Sequence, residues 1–516
     1  MKIRSIFSAD RLAILLSLAA VVAAYGVTRR TFEGIPHLED EFAYTWQAKV
    51  FALGKAYLPS PEYPKSFLVP FVVDYQGKRF SKYSPGWSLL LSLGVLLGLR
   101  NWVNPLLAGL GVWLTYQMGK KVLNPTLGLV AAGLTLTSPF FLMNSGSLLN
   151  HPLGLVLSAA FAIAWLDAFA SASSKHPWRS TLLAAVLIGC LSLTRPWTAV
   201  GVALPFGLHG LWVFWRGVKP VRWRLLTFAL LAGAISALFF AWQYWMTGNP
   251  LLNPYTLWWP FDKIGFGPGY GVIEGGHTLE QAYFNTVQSL GAGWSDIFGW
   301  ISLSWLFLPL GLWAARRNAR LLLFGGVYPA LALVYMAYYI GARLYGPRYY
   351  YEGLYSMTLL TAAGIAIAGG WPPGNKPPAV LPIPRPVKLR RLLVTGLLTA
   401  LVGINVFVYA PLRLERMHDL YGISAEDQEP FLTAKGQELA PALIIVHSDR
   451  WMEYGALLDL ENPSLTSPFI FAWDISEARD AQVAASFPDR KVFHYYPETP
   501  WLFYTAPLPE PPVQKP

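Results

Sequence analysis

The chain has 516 residues, of which 54 % are hydrophobic, 15 % aromatic and only 13 % charged. Soluble globular proteins carry roughly 25 % charged residues, so about half that share excludes an ordinary soluble enzyme and indicates a polytopic membrane protein. The net charge of +11 is not a nucleic-acid footprint, because Lys and Arg gather in short loops between apolar segments; a single cysteine, Cys190, leaves no internal disulfide framework and no CxxC metal site.

The N-terminal MKIRSIFSADRLAILLSLAAVVAAYGV resembles a signal peptide but lacks a clean small-residue cleavage site, and equally apolar segments follow. It reads as an uncleaved first span. A span needs about 20 apolar residues. Candidates are 11–28, 103–120, 126–143, 152–170, 180–194, 197–215, 225–246, 297–314, 320–340, 353–370 and 392–411. PGWSLLLSLGVLLGL (85–99) is apolar but too short, and charge decides its role. If it lies in the interface, every basic cluster falls on one side: Lys2/Arg4/Arg11, Lys120/Lys121, Lys175/Arg179, Arg216/Lys219/Arg222/Arg224, Arg316/Arg317/Arg320 and Lys388/Arg390/Arg391. The expected fold class is therefore an all-α polytopic membrane protein of about eleven transmembrane helices plus interfacial helices, over residues 1–411. The N-terminus is expected to be cytoplasmic, the C-terminus external, in the cell (plasma or inner) membrane.

Three pieces then face outside. The first external loop, 29–102, holds HLEDEFAYTWQAKVFALGKAYLP (37–59), with three consecutive acids. On a helix over 40–54, Phe42, Trp46, Val50 and Leu53 share one face, and Asp40, Tyr44 and Gln47 another. This predicts an interfacial helix with Phe and Trp in lipid and with acid, phenol and amide turned toward a cavity. A plain N-cap for Asp40 and solvated charges for Glu39 and Glu41 are the bland alternatives. The external loop 247–296 is rich in Gly, Pro and aromatics and reads as a lid. The tail 412–516 is polar enough for an external α/β appendage, with strands at 442–446 and 491–496 and a helix at 475–487. Residues 371–391 read as a cytoplasmic proline-rich linker loop.

Several cations and polar groups stand at the same outer turns, where basic residues are expected to be scarce. They are Lys82 and Tyr83 in KRFSKYSPGW, His151 in NSGSLLNHPLG, Arg195 in SLTRPW, and Arg343, Arg348 and Glu352 in GARLYGPRYYYE. Snorkelling, capping or lipid head-group contact explains any one of them alone. Convergence of an acid pair and several cations on one face favours phosphate chemistry.

With these residues in place the chain resembles, over roughly 1–365, the polyprenyl-phosphate-sugar-dependent glycosyltransferases of the GT-C fold, and is similar to protein O-mannosyltransferases and lipid A aminoarabinose transferases. The likeness rests on Asp40-Glu41 after the first span, an aromatic and the QAKVFALG helix, Lys82 with Pro85, and Asn150-His151-Pro152. It implies Asp40 as catalytic base and Lys82 as a contact of the lipid-linked phosphate. Relatives often carry an acid where this chain has Asn150-His151, which weakens any metal role for that turn. The expected reaction moves a sugar from a polyprenyl-phosphate donor to an acceptor hydroxyl on a glycan, lipid or protein, by a single inverting displacement. Glu41 would position or polarise, and Lys82, Arg348 and Arg195 would hold phosphate, with His151, Tyr44 and Tyr83 alongside. No cofactor is firmly implied; without HExxH or a Cys cluster, a divalent cation stays open. A transporter or flippase of lipid-linked sugars is the alternative and predicts broken helices and paired repeats. A scaffold subunit would leave the constellation without a purpose.

Overall fold

The computed structural model describes residues 8–170, 175–374 and 384–509; Lys2, Arg4, the middle of the proline-rich loop and the last residues of the tail lie outside the described residues. Helix α1 (Ala9–Arg30) starts at Ser8, whose Oγ accepts from Arg11 N. The first loop folds into α2 (Glu39–Ala52), an antiparallel sheet of β1 (Leu58–Pro59), β2 (Val72–Tyr75) and β3 (Lys78–Ser81) in the order β1-β3-β2, and α3 (Pro85–Leu96). Helix α4 (Val103–Val122) then returns along α1.

Where the sequence suggests one span at 126–143, two helices stand: α5 (Pro125–Leu136) and α6 (Pro139–Gly146), bent by 60°. Ser138 Oγ accepts from Phe141 N to start α6, and Pro139 has no N–H with which to continue α5. Next come α7 (His151–Trp165), continued by a wider turn over Leu166–Ala170, then α8 (Pro177–Thr194), α9 (Pro196–Arg216) and α10 (Lys219–Thr247). The segment 297–314 is helical only over Leu308–Ala315, because Gly299 and Ile301 adopt left-handed φ of 66° and 56°. Gly299 is needed there, since a Cβ would stand 1.8 Å from Asn405 Oδ1. The segment 320–340 divides into Ala319–Gly325 and Val327–Tyr335. The helix Leu354–Gly369 runs through the centre, buried from Leu354 to Ala366, as a helix apolar all round must be. The helix Arg385–Ile404 runs on through a wider turn, Asn405–Tyr409, into Ala410–Glu415.

Among the described residues six helices are long and apolar enough to cross a membrane, or seven if the bent pair counts as one span. The protein is thus a helical multi-pass membrane protein; of the other expected spans, 103–120 forms the unbroken α4, and those at 297–314, 320–340 and 353–370 form shorter or divided helices. Toward the C-terminus β4 (Ala442–Val446), β5 (Phe469–Trp473) and β6 (Lys491–Tyr495) form a parallel sheet in the order β5-β4-β6, and the helix Glu477–Ala485 links the last two. Strand β4 is buried along its whole length, as the middle strand of a covered parallel sheet must be.

The apolar face of α2 does not meet lipid. Phe42 packs edge-on against Trp451 with centroids 5.4 Å apart, Trp46 and Val50 are buried, and only Leu53 is exposed. The C-terminal region covers that face and shares one apolar core with the first loop. Polar bonds fix the contact: Lys49 Nζ donates to the carbonyls of Asp459 (2.7 Å) and Glu461 (3.0 Å), and Arg100 makes a two-pronged bond to the Asp459 carboxylate at 2.5 and 2.8 Å.

Candidate functional site

Helix α2 presents its three acids in three directions, because neighbouring residues on a helix stand about 100° apart. Glu41 turns inward. Its Oε2 accepts from His37 N (2.9 Å) and Leu38 N (3.1 Å), reaching back over the helix start, and its Oε1 accepts from Leu148 N (2.6 Å). Burial pushes its carboxyl up to about 7, against the pull of those three N–H donors. It therefore ties the α2 start to the α6–α7 turn and stays out of the cavity, contrary to a polarising role at the acceptor. Glu39 is half-buried.

Asp40 faces a cavity of about 230 Å³ lined with Tyr44, Tyr83, Asn150, Arg195, Tyr255, Asp262, Tyr335, Tyr338 and Tyr349. Its Oδ1 accepts a short hydrogen bond from the Tyr83 hydroxyl, and its Oδ2 stands 3.5 Å from Arg348 Nη2. The Arg348 Nη1 is buried with no hydrogen-bond partner among the described residues. Tyr44, one turn along α2, meets the Tyr83 ring at 4.5 Å and accepts through its hydroxyl from Asn150 Nδ2 at 2.8 Å. Gln47 does not face the cavity: its amide donates to Ala56 O and accepts from Ser81 N, both at 2.9 Å. That clamp sets β3, and so Lys82 and Tyr83, in register with Asp40.

Arg195 sits between α8 and α9 with its donors engaged. Nη1 donates to Asn150 Oδ1 (2.7 Å), Nη2 to the Tyr335 hydroxyl (3.0 Å) and Nε to Thr198 Oγ1 (2.9 Å), and Nε stands 3.1 Å from Glu352 Oε1. The same Glu352 oxygen lies 3.2 Å from His151 Nδ1. Glu352 approaches α7 so closely that a Cβ at Gly154 would come within 2.7 Å of its Cγ, so only glycine fits there. A connected path thus runs from Tyr44 through Asn150, Arg195 and Glu352 to His151.

Lys82 does not line the cavity. Its Nζ bonds Asp262 Oδ2 at 3.0 Å behind the wall, 3.4 Å from the Phe71 ring centre and 4.8 Å from that of Tyr255. Burial pushes this lysine down, and Asp262 opposes the shift. Asp262 also accepts from the Tyr338 hydroxyl at 3.0 Å, so the loop 247–296 contributes both aromatics and an acid to the site. Arg343 is exposed and plays no part.

The structure therefore brings Asp40, Tyr44, Tyr83 and Arg195 to one cavity, sets Arg348 against Asp40 and His151 at the far end of the polar path, and keeps Glu41 and Lys82 off the cavity wall. Asp262, Tyr335 and Tyr338 escape sequence reading; a lone acid among aromatics in WWPFDK is the one signal for the first, and the two tyrosines carry none. Among the described residues the one His/acid group with three ligand atoms in mutual reach is Glu33, His418 and Asp419, away from the cavity lining.

No family model matches the chain, and no curated protein does. Solved structures do. The chain is similar to ArnT from Cupriavidus metallidurans bound to undecaprenyl phosphate, with 13 % identity and a TM-score of 0.56 over 93 % of this chain and 89 % of that one. Against ArnT in the apo state the values are 12 %, 0.56, 93 % and 88 %. The Archaeoglobus fulgidus oligosaccharyltransferase in the apo form aligns with 13 % identity and a TM-score of 0.48 over 86 % of this chain, which spans 63 % of that longer protein. At this identity the likeness is one of fold: the chain shares the fold of the ArnT structures.

Proposed function

We propose that this protein is an integral membrane glycosyltransferase that moves a sugar from a polyprenyl-phosphate donor to an acceptor hydroxyl of a glycan, lipid or protein. The observation that carries the reading is Asp40: one carboxylate faces a tyrosine-lined cavity and is held by Tyr83 beside a half-buried Arg348 whose Nη1 has no hydrogen-bond partner among the described residues. A base next to a guanidinium with one free nitrogen suits deprotonation of an acceptor beside a departing phosphate. The undecaprenyl phosphate in the ArnT structure supports that donor class.

In this mechanism Asp40 takes the acceptor proton while the acceptor oxygen bonds the anomeric carbon from the face opposite the phosphate. The glycosidic C–O bond breaks with its electron pair on the phosphate oxygen, and the anomeric centre inverts. Arg348 meets the developing charge, and Lys82 joins it once Asp262 gives way. Arg195, already satisfied by Asn150, Thr198, Tyr335 and Glu352, orients the wall rather than supplying free donors. Glu41 holds the helix that aims Asp40. The cavity of about 230 Å³ is below the roughly 300–1,000 Å³ of drug-sized sites, which suits one sugar ring. The basic clusters of the sequence support a cytoplasmic N-terminus, with the site and the C-terminal domain (412–516) at the outer face of the cell membrane.

The test is transfer of labelled sugar from a panel of polyprenyl-phosphate sugars by protein purified in lipid, wild type beside Asp40→Asn. Loss of turnover by about 10²–10⁴ with donor binding retained is expected; full activity in a folded Asp40→Asn preparation overturns the assignment. The transporter alternative gains little: the bent pair α5/α6 is a broken helix, yet none of its residues lines the cavity.

A further inference from the structure

A second cavity, of about 810 Å³, lies at the carboxyl ends of β4, β5 and β6. That edge of a parallel sheet is where α/β units bind ligands, because the strand ends splay and loops supply side chains. Among the described residues its lining holds five carboxylates (Asp449, Asp474, Glu477, Asp480 and Glu498) and two imidazoles, with no Lys or Arg, in a chain whose net charge is +11. The field inside therefore favours a cation.

The two imidazoles form the floor. His447 Nδ1 stands 2.6 Å from Asp474 Oδ2, and its Nε2 stands 2.8 Å from His494 Nδ1. A carboxylate only accepts, so Nδ1 of His447 carries the proton and Nε2 presents its lone pair toward the second ring. The ring plane is fixed by Tyr496, stacked at 4.4 Å and 8°. A carboxylate behind an imidazole, fixing its tautomer and raising its basicity, is the support that metal-bound histidines receive.

The geometry points to a binding site for a divalent metal ion of the zinc class, ligated by His447 Nε2 and His494 Nδ1 on the floor of this cavity. Imidazole pairs select zinc-like ions over calcium or magnesium. Two nitrogens on one tetrahedral zinc, each about 2.0–2.1 Å away, stand about 3.3 Å apart, so the rings need open by only about half an ångström. Water completes the coordination, because among the described residues no carboxylate oxygen lies in ligand reach of both nitrogens, and the acids of the cavity supply its negative field. The site is independent of the transferase reading, and its test reads metal, not sugar.

Full-length protein in detergent is stripped with a chelator, then titrated with Co²⁺ by visible absorption and with Zn²⁺ in competition with a chromophoric chelator. One equivalent is expected to bind. His447→Ala and His494→Ala should each weaken it at least tenfold, and His418→Ala, which dismantles the Glu33–His418–Asp419 group, should leave it unchanged. Asp474→Asn keeps both rings and should weaken binding about 10–100-fold; it decides the matter if a histidine variant fails to fold. Wild-type binding no better than a protein-free control, equal affinity in the histidine variants, or loss in His418→Ala alone overturns the site.

Discussion

Asp459→Asn attacks the joint between the C-terminal region and the helix that carries Asp40. Burial alone pushes the Asp459 carboxyl up, but Arg100 and then Lys49 more than reverse it and hold it at about 2 against an ordinary 3.8. Its side chain is only 10 % exposed, so little of this is lost to screening by water. Lys49 is itself pushed down by burial, so the stabilisation is carried mainly by the two-pronged Arg100 bond. A carboxyl held that far down contributes about 2.5 kcal/mol at 1.36 kcal/mol per tenfold. Because the folded value is depressed, the contribution is fully present above 3.8 and is lost as pH falls toward 2. At pH 7 the asparagine variant should therefore open this joint about 60-fold more often. Hydrogen exchange of the α2 and β4 amides, followed by mass spectrometry, reads that ratio. Acidification should close the gap between variant and wild type from pH 4 to 2. Equal exchange at pH 7, or a gap unchanged at pH 2, refutes the reasoning.

Glu41 gives the opposite pH sign. Its folded carboxyl is raised from 4.5 to about 7, so the folded state holds the proton more tightly and stability falls by about 3 kcal/mol as pH rises between those values; thermal melts should show this share of the slope vanish in Glu41→Gln. Glu352→Gln removes the carboxylate that pairs with both Arg195 and His151 and should cost on the order of 3 kcal/mol, read as a lower melting temperature in lipid. Asp262→Asn frees the Lys82 ammonium and should tighten binding of a polyprenyl phosphate measured by equilibrium titration; weaker binding means Asp262 positions the lysine instead of competing for it.

How much of this was legible follows from which distances local pattern controls. Asp40, Tyr44 and Gln47 do share a face of α2, as the helical period requires, yet that face divides: the first two reach the cavity, and Gln47 meets Ser81 N from a strand 34 residues on. The Phe42–Trp46 face was apolar for a reason other than lipid, since its cover comes from Trp451 some 400 residues away. No local period encodes such a partner. Adjacent acids gave no hint that Glu41 and Asp40 have separate work, because the difference lies in which backbone N–H groups surround each. The apolar runs at 297–314 and 320–340 read as continuous spans because hydropathy reports burial without reporting backbone; the left-handed φ at Gly299 and Ile301, which shortens the first helix, is invisible to it.

The central helix has a consequence for how the protein answers its bilayer. A segment buried from Leu354 to Ala366 touches other helices, so a change of lipid thickness does not act on it directly. The load falls on the periphery. Helix α10 is 29 residues long and only 11 % buried over its apolar stretch; the part beyond its basic first turns, 225–246, measures about 33 Å, close to hydrocarbon about 30 Å thick. Thinner or thicker membranes should tilt that outer wall while the inner shaft keeps its place, leaving Glu352, two residues before the shaft begins, in a frame that mismatch barely reaches.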